Sequence, residues 1–136
     1  MPKSKEFTIQ LEDQPGTLAR CCQALAGSGV NILAFEAFAR EGQAMVRMVV
    51  DNPSGAKSAL DAQRIYCTEA EVALVALPHR SGELGRAASL LGKADININY
   101  AYCGIDSKTN TPLVIFGVKE AGKAATMLDE IAQKAA

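Results

Sequence analysis

The sequence predicts an α+β protein built from two ferredoxin-like βαββαβ domains, each an antiparallel sheet with helices on one face. The first observation behind this is internal repetition: Phe7 to Ile32 is echoed by Ala73 to Ile98. Gly16, Leu18, Arg20, Leu25 and Asn31 recur as Gly82, Leu84, Arg86, Leu91 and Asn97, each 66 positions on. A period of that length is too long for a solenoid unit and suits a small α/β module. Secondly, each copy opens with a strand-like run, apolar at period two in the first copy and continuously apolar in the second, and passes through a glycine turn to a helical period. Thirdly, the connections between these runs are short, which favours neighbouring elements in one sheet. The domain boundaries are expected at 1–68 and 69–136.

Taken in order, Phe7, Ile9 and Leu11 alternate with Thr8 and Gln10, the pattern of a strand with one buried and one wetter face. Glu12 to Gly16 breaks it. From Thr17, a stripe of Leu18, Cys21 or Cys22 and Leu25 predicts an amphipathic helix, stopped by Gly27 and Gly29. A strand is expected from Asn31 to Arg40, a turn at Glu41 to Gln43 and a strand from Ala44 to Val50. Asp51-Asn52-Pro53-Ser54 then opens a short helix, with Pro in its first turn and Ala56, Ala59 and Leu60 on one face. Ile65 to Thr68 is a short candidate last strand. The second half repeats the order: strand Val72 to Leu77, helix Glu83 to Gly92, strand Ile96 to Gly104, a longer turn from Asp106 to Thr111 and strand Leu113 to Val118. A helix starting near Gly122 carries Ala124, Leu128, Ile131 and Ala135 at helical spacing, and no last strand follows. Leu74 and Ala76 stand where the first copy has Thr8 and Gln10, so this strand is expected to be buried on both faces. With an unpaired sheet edge, that predicts cover by the other half or by a second subunit, and hence a homodimer.

Composition narrows the function. Domains of roughly 60 to 70 residues bury only about 60% of their unfolded surface, so two such halves are expected to pack together or on a partner. The formal net charge is −1 with the signs interspersed, which leaves no electrostatic footprint for nucleic acid or an anionic membrane. MPKSKE lacks the apolar core of a signal peptide and no apolar run approaches a membrane span, so a cytoplasmic location is expected. Four cysteines without CxxC, and a single histidine, His79, are poor material for a metal. Cys21 and Cys22 read as small core-facing residues, since the second copy has Ala87 and Ala88 there. No nucleophile has an oriented base nearby in sequence, and no Walker or dinucleotide loop is present, so neither catalysis nor a cofactor is expected.

The polar residues worth following lie where strand meets helix. The loop Asp13-Gln14-Pro15-Gly16-Thr17-Leu18 and its counterpart His79-Arg80-Ser81-Gly82-Glu83-Leu84 bring free backbone N–H groups and a positive helix end together, a setting that favours a carboxylate. Asn31 and Asn97 follow each helix between aliphatic neighbours, offering both a donor and an acceptor, or simply capping a turn. "LEDQPGTLAR…GSGVNI" resembles the ACT domain, the small βαββαβ ligand-sensing module of amino-acid metabolism, and "LPHRSGELGR…KADININYAY" resembles a second one. The resemblance covers nearly the whole chain and is closest to small stand-alone proteins of two ACT repeats without a catalytic domain. It implies a free amino acid or similar metabolite bound at interfaces between ACT units, near the first strand-helix loop, with a metabolic enzyme as the regulated partner. By position it nominates Asp13, Gly16 and Asn31 in the first copy and Gly82 and Asn97 in the second. Gln14, Pro15, Leu18 and Ile32 on one side, and His79, Arg80, Leu84 and Ile98 on the other, complete the candidate set. The second loop departs from the pattern at His79, Arg80 and Ser81, which motivates an alternative: a ligand-free assembly module docking on an enzyme or transporter. Arg20 and Arg86 read as solvated surface, and Tyr100 and Tyr102 as core or interface.

Overall fold

The computed structural model describes residues 3–133; Ala135, expected on the last helix, and the first two residues of the polar lead lie outside them. The chain divides into two compact units, one Lys5–Ala70, the other Glu71 onward together with the first residues as far as Ser4.

The Lys5–Ala70 unit uses β1 (Lys3–Glu12), α1 (Thr17–Gly27), β2 (Ile32–Arg40), β3 (Gln43–Val50), α2 (Pro53–Ala62) and the start of β4 (Cys67–Ala76). β3 is flanked antiparallel by β1 and β2: Met48 stands opposite both Phe7 and Phe35, and Val46 opposite both Ile9 and Ala37. That register sends Phe7, Ile9, Val46 and Met48 to one face, where they close on Cys21 and Leu25 of α1 and Ala56 and Leu60 of α2. Fully burying such aliphatic and aromatic side chains stabilises the fold by about 1.5–3 kcal/mol each. The helices start where their sequence dictates: Asn52 Oδ1 accepts from the Gly55 amide at 3.1 Å, with Pro53 in the first turn.

The second unit has the same plan: the Glu71–Ala76 part of β4, α3 (Glu83–Lys93), β5 (Ile98–Asp106), β6 (Thr111–Val118) and α4 (Ala121–Leu128), then a 3-10 turn over Asp129–Ile131. β6 lies between β4 and β5, with Phe116 opposite both Ala73 and Ala101. Its core is Ala73, Val75, Val114 and Phe116 under Ala87 and Leu91 of α3 and Ala124 and Leu128 of α4.

The 66-residue period is a period of the backbone. Thr17 and Glu83 open the two first helices, Gly27 and Lys93 end them, and Ile32 and Ile98 begin the next strands. The strand irregularity at Ile32/Ala34 recurs at Ile98/Tyr100. The left-handed turn after the helix falls at Gly29 (φ 70°) and Asp95 (φ 60°). The offset then grows to 68, since β3 starts at Gln43 and β6 at Thr111. The two extra residues sit in the β5–β6 hairpin, where the Asp106 carboxylate accepts from the Thr109 amide at 2.9 Å and its hydroxyl at 2.8 Å. One cross-strand pair has exchanged its bulk between copies: Ala34 faces Val49 in the first unit, whereas Tyr100 faces Gly117 in the second. The Tyr100 ring lies so close over Gly117 that a Cβ there would collide with it.

Several expectations are corrected. Ile65–Thr68 and Val72–Leu77 do not form two strands. A single strand, β4, runs from Cys67 to Ala76 through the charged stretch between them. β1 likewise begins at Lys3 and not at Phe7. Lys3, Lys5, Glu69 and Glu71 stand on exposed positions, where Lys5 pairs with Glu69 at 3.3 Å in the first unit and Lys3 with Glu71 at 3.6 Å in the second, while Glu6 is buried. The second unit takes in Lys3 and Ser4. The last helix stops at Leu128, and Ile131 belongs to the 3-10 turn. Leu74 and Ala76 are only half-buried, while Val72, Ala73 and Val75 are buried. The asparagines precede their strands, and Asp106 closes β5 before the turn begins.

Candidate functional site

The two strand-helix loops have one geometry. Gly16 adopts φ 89°, ψ −11° and Gly82 φ 87°, ψ −11°, both at the N-cap of the following helix and neither helix capped by a side chain. A residue with a Cβ pays about 1–2 kcal/mol in that left-handed region, which explains glycine at both. The supporting bonds repeat as well. Gln14 N–H donates to Glu12 O at 2.9 Å and Arg80 N–H to Pro78 O at 3.0 Å; Arg20 and Arg86 N–H donate to the two glycine carbonyls at 3.0 and 2.9 Å. In the first loop the Thr17 hydroxyl adds bonds to Glu12 O at 2.8 Å and Gln14 O at 3.1 Å.

A cavity of about 570 Å³ lies against the first loop, lined among others by Glu12, Gln14, Gly16, Arg20, Arg64 and Tyr66. Arg64 and Tyr66 come from the connection between α2 and β4. There Ile65 is buried and its amide donates to Leu60 O at 2.9 Å, which fixes Arg64 at φ 57° and leaves Tyr66 73% exposed. Among the described residues, the guanidiniums of Arg20 and Arg64 and the carboxylate of Glu12 make no ion pair or side-chain hydrogen bond.

The second loop borders a different cavity of about 270 Å³, largely apolar, walled by Leu77, His79, Leu84, Tyr102 and Val114, with Arg80 and Glu83 at its edge. Glu83 takes the place of Thr17. Its buried carboxylate lies 3.4 Å from Arg80 and 3.8 Å from Arg86, so the start of α3 already carries an anion of its own.

The expected site residues fall into three groups. Gln14, Pro15 and Gly16 line the first cavity, and His79, Arg80 and Leu84 the second. Leu18, Ile32 and Ile98 pack against the cores. Asp13 is exposed, and neither it nor Gly82 is among the lining residues. Asn31 and Asn97 are exposed and line neither cavity. The Asn31 backbone N–H donates to Asp51 Oδ1 at 2.9 Å, and Asn97 Nδ2 donates to Asn99 Oδ1 at 3.1 Å. Arg20 is exposed, as expected, and also forms part of the first wall, and Tyr102 forms part of the second. Arg64 and Tyr66 carry no motif; the one cue to them is a charged residue just past a helix end. No three or more His, Cys, Asp or Glu among the described residues are grouped to hold a metal ion, and no described helix is long and apolar enough to cross a membrane.

Residues 6–67 match the ACT domain. Among solved structures, protein BT0572 from Bacteroides thetaiotaomicron is similar over 95% of this chain and 88% of its own, with a TM-score of 0.82 and 22% identity. The regulatory subunit of aspartate kinase from Thermus thermophilus is similar over 97% and 93%, with a TM-score of 0.65 and 17% identity. Its Thermus flavus counterpart gives 96% and 93%, a TM-score of 0.58 and 19% identity. At these identities the likeness is one of fold. No curated protein matches the chain.

Proposed function

We propose that this protein is a regulatory amino-acid-binding protein of two ACT-type domains, 1–68 and 69–136, with ligand recognised beside the strand-helix loops. One observation carries the reading: the same uncapped glycine start of a helix occurs twice, with a cavity against each copy. An uncapped helix start offers N–H donors and a partial positive charge to a carboxylate. The loop around Gly16 supplies that with neighbouring Arg20, Gln14 and Glu12 for the remaining polar groups. Asn31 and Asn97 belong to the proposal as residues that would meet ligand where ACT units pair in a homodimer, and the regulated partner would be a metabolic enzyme. The match of residues 6–67 to the ACT domain supports the small-molecule reading. A scaffold role is favoured for the second loop by one feature, Glu83 between Arg80 and Arg86, which neutralises the helix start that a ligand carboxylate would use. Calorimetry and thermal shift with each of the twenty amino acids test the proposal. Binding of one or a few is expected, and a flat response to all would leave the assembly role in its place.

A further inference from the structure

The first cavity differs from a generic amino-acid site in its balance of charge. Two arginines, Arg20 and Arg64, and one glutamate, Glu12, are exposed residues that line it, and among the described residues none of the three makes an ion pair with another side chain. Arg20 sits one turn into α1, whose uncapped start at Gly16 lines the same space. Arg64 enters from the α2–β4 connection, held in a left-handed turn that places a long cationic side chain where glycine or asparagine would be the cheaper choice. The wall thus offers two places for anions and one for a cation. A neutral amino acid satisfies one of each and leaves a guanidinium unmatched.

We infer that the cavity beside Gly16 selects an α-amino dicarboxylate, an acidic amino acid. One carboxylate meets the start of α1 and Arg20, the second meets Arg64, and the ammonium meets Glu12. The site's net charge of +1 is complementary to the ligand's −1, and planar guanidinium forks pair with carboxylates in two-point geometry. The inference rests on the amino-acid reading above and adds the ligand class and the selecting residue, Arg64.

The test is calorimetric titration of the full chain with L-aspartate, L-glutamate, L-asparagine and L-glutamine. An acidic ligand is expected to bind about tenfold tighter or more than its amide, the ratio that one charge-assisted contact gives. Arg64→Gln should bring that ratio close to one. Lys119→Gln, which removes an exposed positive charge outside the cavity, should leave it unchanged. Arg64 is exposed, so its variant should fold, and circular dichroism checks that it does. Equal binding of acid and amide, or a selectivity that survives Arg64→Gln, overturns the inference and leaves the amino-acid proposal standing. Binding of none of the twenty amino acids overturns both.

Discussion

At the scale of single residues, conformation and burial make separable predictions. Gly82 and Gly85 lie three residues apart, and a Cβ at either would meet nothing within 4 Å, yet Gly82 alone has a positive φ, 87°. Gly82→Ala should therefore destabilise by about 1–2 kcal/mol, the left-handed penalty. Gly85→Ala, inside α3, should stabilise by about 0.4–1 kcal/mol. Urea denaturation of the two variants tests the contrast, and a loss at both would show that the helix needs glycine at Gly85 as well. Burial acts on Cys21, which is fully buried in the first core and whose thiol is pushed up to about 11 from 9.0, chiefly by loss of solvation. The unfolded chain ionises this thiol near pH 9 while the folded chain keeps it protonated. Its contribution to stability is complete below pH 9 and is lost as pH rises to about 11, at about 1.4 kcal/mol per unit. Burial also raises Cys22 and Cys67, in the same direction. Stability measured from pH 8 to 11 should fall, and Cys21→Ala should flatten that fall. A slope unchanged in the variant would remove Cys21 as its source.

At the scale of elements, the exchanged pair Ala34–Val49 and Tyr100–Gly117 offers a test of packing across a strand junction. Gly117→Val should destabilise by about 1–3 kcal/mol, since its side chain meets the Tyr100 ring. Tyr100→Ala in the same chain recreates the first unit's pair and should recover part of the loss. A double-mutant cycle should give a favourable coupling of about 0.5–3 kcal/mol, and additive effects would show that the two residues are independent. Most elements were legible because local chemistry and burial agree in them: the stripe of Leu18, Cys21 and Leu25, the Asn52-Pro53 start of α2, the glycine turns. β4 was not, because the span joining its two apolar ends holds Glu69 and Glu71. Charges look like a break in sequence, but exposed strand positions with Lys5 and Lys3 as partners tolerate them. The site was half legible for a related reason. The glycine turn announces itself through φ, whereas Arg64 and Tyr66 join the cavity through the way α2 ends, which no local pattern encodes.

At the scale of the whole molecule, the division between the units falls inside strands. β1 passes from one unit to the other between Ser4 and Lys5, and β4 between Ala70 and Glu71. A fragment of residues 71–136 lacks Lys3 and Ser4 and starts mid-strand, so it should fail to unfold cooperatively when expressed alone. A sharp calorimetric transition from that fragment would show that it is self-sufficient. Lys5 and Glu71, which open the two units, are themselves 66 residues apart, the same interval that separates the glycine turns. Boundaries between modules are normally exposed linkers, tolerant of cutting and recombination. Here the module frame and the safe splice point are different places. A chimera that exchanges units with a crossover at 70/71 would cut β4 in mid-strand, whereas one joined in the 63–66 connection between α2 and β4 leaves that strand whole.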